Sequence, residues 1–196
     1  MSRLKLAVIV GSVRKGRFGP VVARWIADLA AQHGAFEVDV IDLADAELPL
    51  ELPATPPALD PNPPRPDGMT DLTRRLGAAD AFVVVTPDYN RSFPAVLKAV
   101  IDWHVTEWDA KTVGFVGYSG TSGGLLAIES LRQVFNELNA HTVRGYVSFP
   151  RYYLMFDEHG DLREPEEPTG AAKAMLDQLH WWARALTDAR STLSRS

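Results

Sequence analysis

Short apolar runs alternate along this chain with amphipathic stretches, and that rhythm restricts the fold more than any single motif. Leu4 to Val10, Phe36 to Leu43, Ala81 to Val85, Lys111 to Tyr118 and Thr142 to Phe149 read as strands, short and rich in β-branched residues. Helices are expected between them. Val22, Trp25, Ile26 and Leu29 share one face, and a short helix covers Asp71 to Ala79. A third, entered through Pro94, runs to about Glu107, and Leu125 to Leu138 sets Ile128, Leu131, Phe135 and Leu138 in register. Tyr152 to Leu162 reads as an excursion turning at His159-Gly160, before a last helix from Thr169 to Leu186. Strict alternation predicts an α/β three-layer sandwich, a parallel sheet wound on both faces. With 196 residues and no composition break, one domain over 1–196 is expected.

Five strands suit the flavodoxin-like order 2-1-3-4-5, whose switch point lies between the first and third strands. Ligands bind outside the carboxyl ends of such strands. Three loops should meet there: Gly11 to Gly19, Pro87 to Phe93 and Gly117 to Gly124. The first combines backbone N–H groups, the Ser12 hydroxyl, a helix amino terminus and the cations Arg14, Lys15 and Arg17, a set suited to a phosphate. It is neither a Walker A loop, since Gly16 is followed by Arg17-Phe18, nor a G-x-G-x-x-G fingerprint. The middle loop brings Pro87, the Tyr89 ring and the Asn90 amide to a planar ligand. The third packs four glycines and two serines, among them Ser119 and Ser122, so that backbone can approach a flat ring. A phosphate cradle facing an aromatic and amide loop across a switch point describes FMN.

One rival motif lies in the third loop. Gly120-Thr121-Ser122-Gly123-Gly124 matches the G-x-S-x-G nucleophile elbow, with Asp157 or Asp161 and His159 or His180 available as triad partners. Only one core strand follows Ser122, however, too few for the hydrolase fold that uses that elbow.

The chain resembles the NADPH-dependent FMN reductases, a flavodoxin-like family that includes chromate, quinone and azo reductases. Pro87-x-Tyr89-Asn90-x-Ser92-x-Pro94-x-x-Leu97-Lys98-x-x-Ile101-Asp102-Trp103 looks like the family signature, and Gly11-Ser12-x-Arg14 resembles its phosphate loop. Ser119 to Gly124 resembles its small-residue loop beneath the flavin. The resemblance implies bound FMN, with NADPH or NADH as co-substrate and a ping-pong transfer to a second acceptor, the cofactor doing the chemistry. No side chain is expected as general acid or base. The implied cofactor-binding residues are Ser12, Arg14, Arg17, Phe18, Gly19, Pro87, Asp88, Tyr89, Asn90, Ser119, Gly120, Thr121, Ser122, Gly123 and Gly124. Many members carry Ser at Arg17, Asn at Gly19 and Glu at Asp88. Arg17 then faces either the FMN phosphate or the nicotinamide dinucleotide, and Asp88 is expected to act through its backbone. An electron carrier that holds FMN without NAD(P)H turnover is the alternative reading.

Composition narrows the partners. No cysteine is present, which excludes disulfides and thiolate chemistry, and the five histidines lack metal-ligand spacing. A net charge of −5 without a basic block argues against nucleic acid. No apolar run reaches the roughly 20 residues of a membrane span, and Met1 to Lys5 leads directly into a strand, so a cytoplasmic location is expected. The stretch 49–68 carries eight of fourteen prolines and is expected as an extended surface arm. Trp103 and Trp108, with the adjacent pair Trp181 and Trp182, are expected to be exposed at a homo-oligomer interface, dimer or tetramer.

Overall fold

The computed structural model describes residues 3–60 and 63–192. Its elements follow the expected alternation: β1 Leu4–Val10, α1 Gly19–His33, β2 Phe36–Asp42, α2 Thr70–Ala78, β3 Ala81–Pro87 and α3 Ala95–Trp103. Then come β4 Thr112–Ser119, α4 Leu125–Glu137, β5 His141–Pro150, the single turn α5 Tyr152–Met155 and the long α6 Glu166–Thr192. The strands form one parallel sheet in the order β2-β1-β3-β4-β5. All seven residues of β3 are buried, as the unbroken apolar run requires of a central strand.

The period of two along each strand sorts the core into two layers. Leu6, Val8 and Val10 of β1 join Val83 and Val85 of β3 against Val22 and Ile26 of α1 and Met175 and Leu179 of α6. Ala7 and Ile9 turn the other way with Phe82 and Val84, toward Leu72 and Leu76 of α2, Leu97 and Ile101 of α3 and Leu131 and Phe135 of α4. Within this second layer lie both Trp103, 4% exposed, and Trp108, fully buried. They are therefore not the exposed interface aromatics expected from the sequence. The reason is that α3 stops at Trp103, short of Glu107. Its C-cap, His104, is buried, and its Nδ1–H donates to the Val100 carbonyl at 2.8 Å, satisfying one of the orphan acceptors of the last turn. Burial lowers the His104 pKa, so the neutral ring can accept at Nε2 from the Thr73 hydroxyl at 2.9 Å. The chain then folds back and inserts the Trp108 indole between Phe82 and Phe135, at centroid distances of 4.6 and 5.4 Å.

Trp181 and Trp182 do face outward, at 63% and 36% exposure, and the Trp182 ring stacks 4.0 Å from His141 on the edge strand. Among the described residues no helix is long and apolar enough to cross a membrane.

The proline-rich stretch leaves the sheet after β2 and is held at both ends by one residue. The Trp103 indole N–H donates to the Pro49 carbonyl at 2.8 Å, while the Arg65 guanidinium donates to the Trp103 carbonyl at 3.2 Å and pairs with Glu107 at 2.9 Å. Between these clips Leu50 and Leu59 stand exposed and Pro57 is buried. Pro61 and Asn62 lie outside the described residues. Removing both clips, in Trp103→Phe combined with Arg65→Ala, should leave the core packed while lowering unfolding free energy by about 1–3 kcal/mol. Limited proteolysis should then cut within 49–66 much faster than in the parent. An unchanged digestion rate would show that the prolines alone hold this stretch.

Candidate functional site

The connections that follow β1, β3, β4 and β5 meet at the carboxyl edge of the sheet, around a cleft of about 190 Å³. Ser12, Arg14 and Arg17 line one end, while Pro87, Asp88, Tyr89, Tyr118, Ser119, Gly120 and Tyr152 line the rest. A larger groove, about 330 Å³, lies beside the amino-terminal halves of β1 and β2. Its guanidiniums are already engaged, Arg75 with Asp39 and Arg74 with Asp71, so it offers few convergent donors.

The first loop starts against β3. Gly11 N–H donates to the Val85 carbonyl at 2.9 Å, and a β-carbon on Gly11 would sit 3.0 Å from that same oxygen. Ser12 is buried, and its hydroxyl lies 2.8 Å from the Tyr89 hydroxyl, tying the first loop to the second. At the start of α1 no side chain caps the backbone, and Pro20 occupies the first turn. That amino terminus keeps its partial positive charge directed at the loop. Phe18 turns away from the cleft and packs 4.8 Å from Tyr152 and 5.1 Å from Phe156, anchoring the loop in the core.

In the second loop, Tyr89 and Ser92 exchange backbone hydrogen bonds of 2.7 and 3.0 Å around Asn90 and Arg91. Both central residues have positive φ, 50° and 69°, as a tight two-residue turn of this hand demands. Asn tolerates that conformation better than most residues, so the turn itself accounts for Asn90, whose side chain is exposed outside the cleft.

The side chain of Asp88, a position expected to act largely through its backbone, is engaged at both oxygens. One oxygen accepts from the Ala127 N–H at 2.8 Å, and the other accepts from the Ser122 hydroxyl. Ala127 is the third residue of α4, whose N-cap Gly124 has no side chain to offer. Asp88 therefore caps α4 from a different loop and its charge complements the helix dipole. The Ser122 hydroxyl is within 3.0 Å of Ser119 and bonds to Asp88, with no imidazole bonded to it among the described residues, which leaves the hydrolase triad unassembled. His180 packs against Phe36 and His33 instead.

The glycines of the third loop divide their work. A β-carbon on Gly124 would come within 2.4 Å of the Gly117 Cα, so these two let the loop cross directly over the end of β4. Gly120 has open space in front of it and lines the cleft. It is the glycine at which a flat ligand can approach the backbone. Thr121 is exposed, and Ser122, Gly123 and Gly124 support the loop from behind. Gly19 lies against the Tyr118 hydroxyl, which a β-carbon there would meet at 2.9 Å, so an Asn at this position would not fit without a shift.

Tyr118 and Tyr152 were not singled out by sequence, although both follow the same rule of position, at or just after the carboxyl ends of β4 and β5. Their rings lie 5.4 Å apart. Burial, then the neighbouring Tyr89, pushes the Tyr118 phenol well above its ordinary pKa, against a smaller opposing effect from Ser12. It stays a neutral hydroxyl through the working pH range.

The sheet order, the cleft at its switch point and the helices on both faces of the sheet define a flavodoxin-like fold. The sequence pattern of the NADPH-dependent FMN reductases matches residues 4–153, and the chain belongs to that family. It is 32% identical over 192 residues to a 2-hydroxy-1,4-benzoquinone reductase of Burkholderia sp., covering 92% of this chain and 97% of that protein. It is also 32% identical over 120 residues to an NAD(P)H-dependent FMN reductase of Schizosaccharomyces pombe, covering 61% of this chain and 60% of that protein. The structure of FerB, a flavoenzyme NAD(P)H:(acceptor) oxidoreductase from Paracoccus denitrificans, shares the fold with a TM-score of 0.72. Identity there is 23%, over 93% of this chain and 98% of the other.

Asp88→Ala should lower stability by about 1 kcal/mol, the usual value of an N-cap. It should also raise hydrogen-exchange rates at 119–127 above those of the rest of α4. Uniformly faster exchange along the helix, or none, would remove the cross-loop cap.

Proposed function

We propose that this protein is an FMN-dependent NAD(P)H oxidoreductase that passes electrons to a small acceptor such as a quinone, a free flavin, an azo compound or a metal oxyanion. The observation that carries this reading is the two-ended cleft. At one end, the uncapped start of α1 faces Arg14 and Arg17, and the buried Nε–H of Arg17 has no acceptor among the described residues. That is a donor set short of an anion. The other end presents Pro87, Tyr89, Tyr118 and Tyr152 beside the open face of Gly120, a setting for a planar ring. These residues fit FMN, with its phosphate at the first end and its ring at the second.

Held there, FMN supplies the two-electron chemistry between NAD(P)H and the acceptor. The chain's own groups position and insulate. Ser12 and Tyr89 join the two walls, Asp88 keeps the 119–124 loop seated, and Tyr118 remains protonated. The Asp88 oxygens are both taken by donors, which supports chemistry without a protein acid or base. Donor and acceptor then take turns at this one cleft, as the family resemblance implies for a ping-pong cycle. The exposed Trp181 and Trp182 pair with half-exposed Tyr146 support a homo-oligomer, built through α6 and edge strand β5.

The purified protein should bind FMN and oxidise NADPH or NADH in the presence of a quinone. Arg14→Ala should weaken FMN by roughly tenfold or more, the range of a charge-assisted hydrogen bond, and leave riboflavin binding nearly unchanged. Equal losses for the two flavins would place the phosphate elsewhere. Bound FMN without NAD(P)H oxidation would favour the electron-carrier alternative.

A further inference from the structure

The turn after β5 holds an arginine that neither its backbone nor a neighbour accounts for. Arg151 lies in the left-handed region, with φ 49° and ψ 44°, which arginine adopts less readily than glycine or asparagine. It is also the N-cap of α5, a position that favours a short side chain able to accept a hydrogen bond. Its carbonyl accepts from the Leu154 N–H at 2.8 Å. Its exposed guanidinium has no hydrogen bond or ion pair among the described residues. A strained backbone kept for a side chain that braces nothing points to a ligand.

The sheet sets Arg151 beside the cleft. Ser119 and Pro150 are partners in the parallel pairing of β4 with β5, so Gly120 and Arg151 leave neighbouring strand ends side by side. Gly120 and Tyr152 both line the cleft. From Tyr118 an edge-to-face series runs outward, to Tyr152 at 5.4 Å and 83° and on to Tyr153 at 5.6 Å and 80°. Tyr153 is 59% exposed, so its ring is held by Tyr152 at the rim with most of its surface in water. A free guanidinium and an oriented ring, two residues apart, match an adenosine that carries an extra phosphate. The ring can stack on the base, and the fork of N–H donors suits the phosphate oxygens.

Hydride transfer requires the nicotinamide at the ring end of the cleft, so the adenosine half of the dinucleotide must lie over an adjoining wall. Lys15 stands at the opposite, phosphate end. The tip of the middle loop offers the exposed Arg91, whose positive φ its two-residue turn already explains. Only the turn after β5 joins a free cation to an exposed ring. We propose that Arg151 binds the 2′-phosphate of NADPH and Tyr153 stacks on its adenine, so that this segment sets a preference for NADPH over NADH. The proposal rests on the reading above and names the dinucleotide which that reading leaves open.

The test uses the FMN-loaded full chain. In calorimetric titrations, adenosine 2′,5′-bisphosphate should bind roughly tenfold tighter than adenosine 5′-monophosphate, the range for a hydrogen bond to a charged group. Arg151→Gly should abolish that difference and lower the ratio of kcat/KM for NADPH to that for NADH by a similar factor. Glycine accepts the left-handed backbone, so the variant should melt close to the parent. Tyr153→Ala should weaken both nucleotides equally, since each carries the adenine. A ratio unmoved in Arg151→Gly, or moved instead by Arg91→Ala, would overturn the proposal, as would equal losses for NADPH and NADH. A lowered melting temperature with the ratio intact would make Arg151 a structural residue. A parent that binds FMN yet does not distinguish bisphosphate from monophosphate would overturn this proposal alone, whereas a parent that takes up no FMN would overturn the reading beneath it.

Discussion

The parallel pairing of β1 with β3 is the constraint on which the rest of this structure depends. Because β1 continues to β2 on one side while β3 continues to β4 on the other, their two connections diverge and leave a gap at the carboxyl edge. The Gly11 N–H to Val85 carbonyl bond extends this pairing by one residue past the strand, so the loop after β1 begins at a defined height above β3. Both strands are apolar on both faces, so slipping the register by one residue would exchange the α1/α6 layer for the α2/α3/α4 layer. Burial of that kind fixes the mouth of the cleft without any functional residue taking part.

On that rigid base the loops are braced against one another, not each against its own strand. Ser12 reaches Tyr89, Asp88 reaches Ser122 and Ala127, and Arg17 reaches Asp42. Each contact joins two different connections and half or more of each partner is removed from water, where a charged hydrogen bond is worth more than on an open surface. The braces order backbone donors and aromatic walls before any ligand arrives, and preorganisation of this kind lowers what binding must spend on ordering loops.

Much of the architecture was legible in sequence because it rests on local periodicity. The alternation of apolar runs and amphipathic segments led to the sheet order and to the three loops that do converge. What escaped the sequence shares one physical cause. Trp103 and Trp108 looked like interface aromatics because helical periodicity was carried through to Glu107, whereas a buried histidine cap ends α3 early and turns both indoles inward. Asp88 looked like a backbone contributor because its partners, Ser122 and Ala127, lie more than thirty residues away. Tyr118 and Tyr152 carry no motif, and position at a strand end was the one signal that could have marked them.

By itself the sequence determined the fold class, the location of the cleft and the kinds of group around it, since hydrophobic period, glycine spacing and proline content act over a few residues. The tertiary structure decided which of those groups line the cleft and which hold one another in place. Gly120 faces the cleft while Gly117 and Gly124 serve a backbone crossing, and Asn90 serves a turn. Arg17 does both, lining the cleft while held by a strand end that only sheet pairing brings to it. Contacts between residues far apart in the chain depend on register and packing, and those are set by burial across the whole sheet.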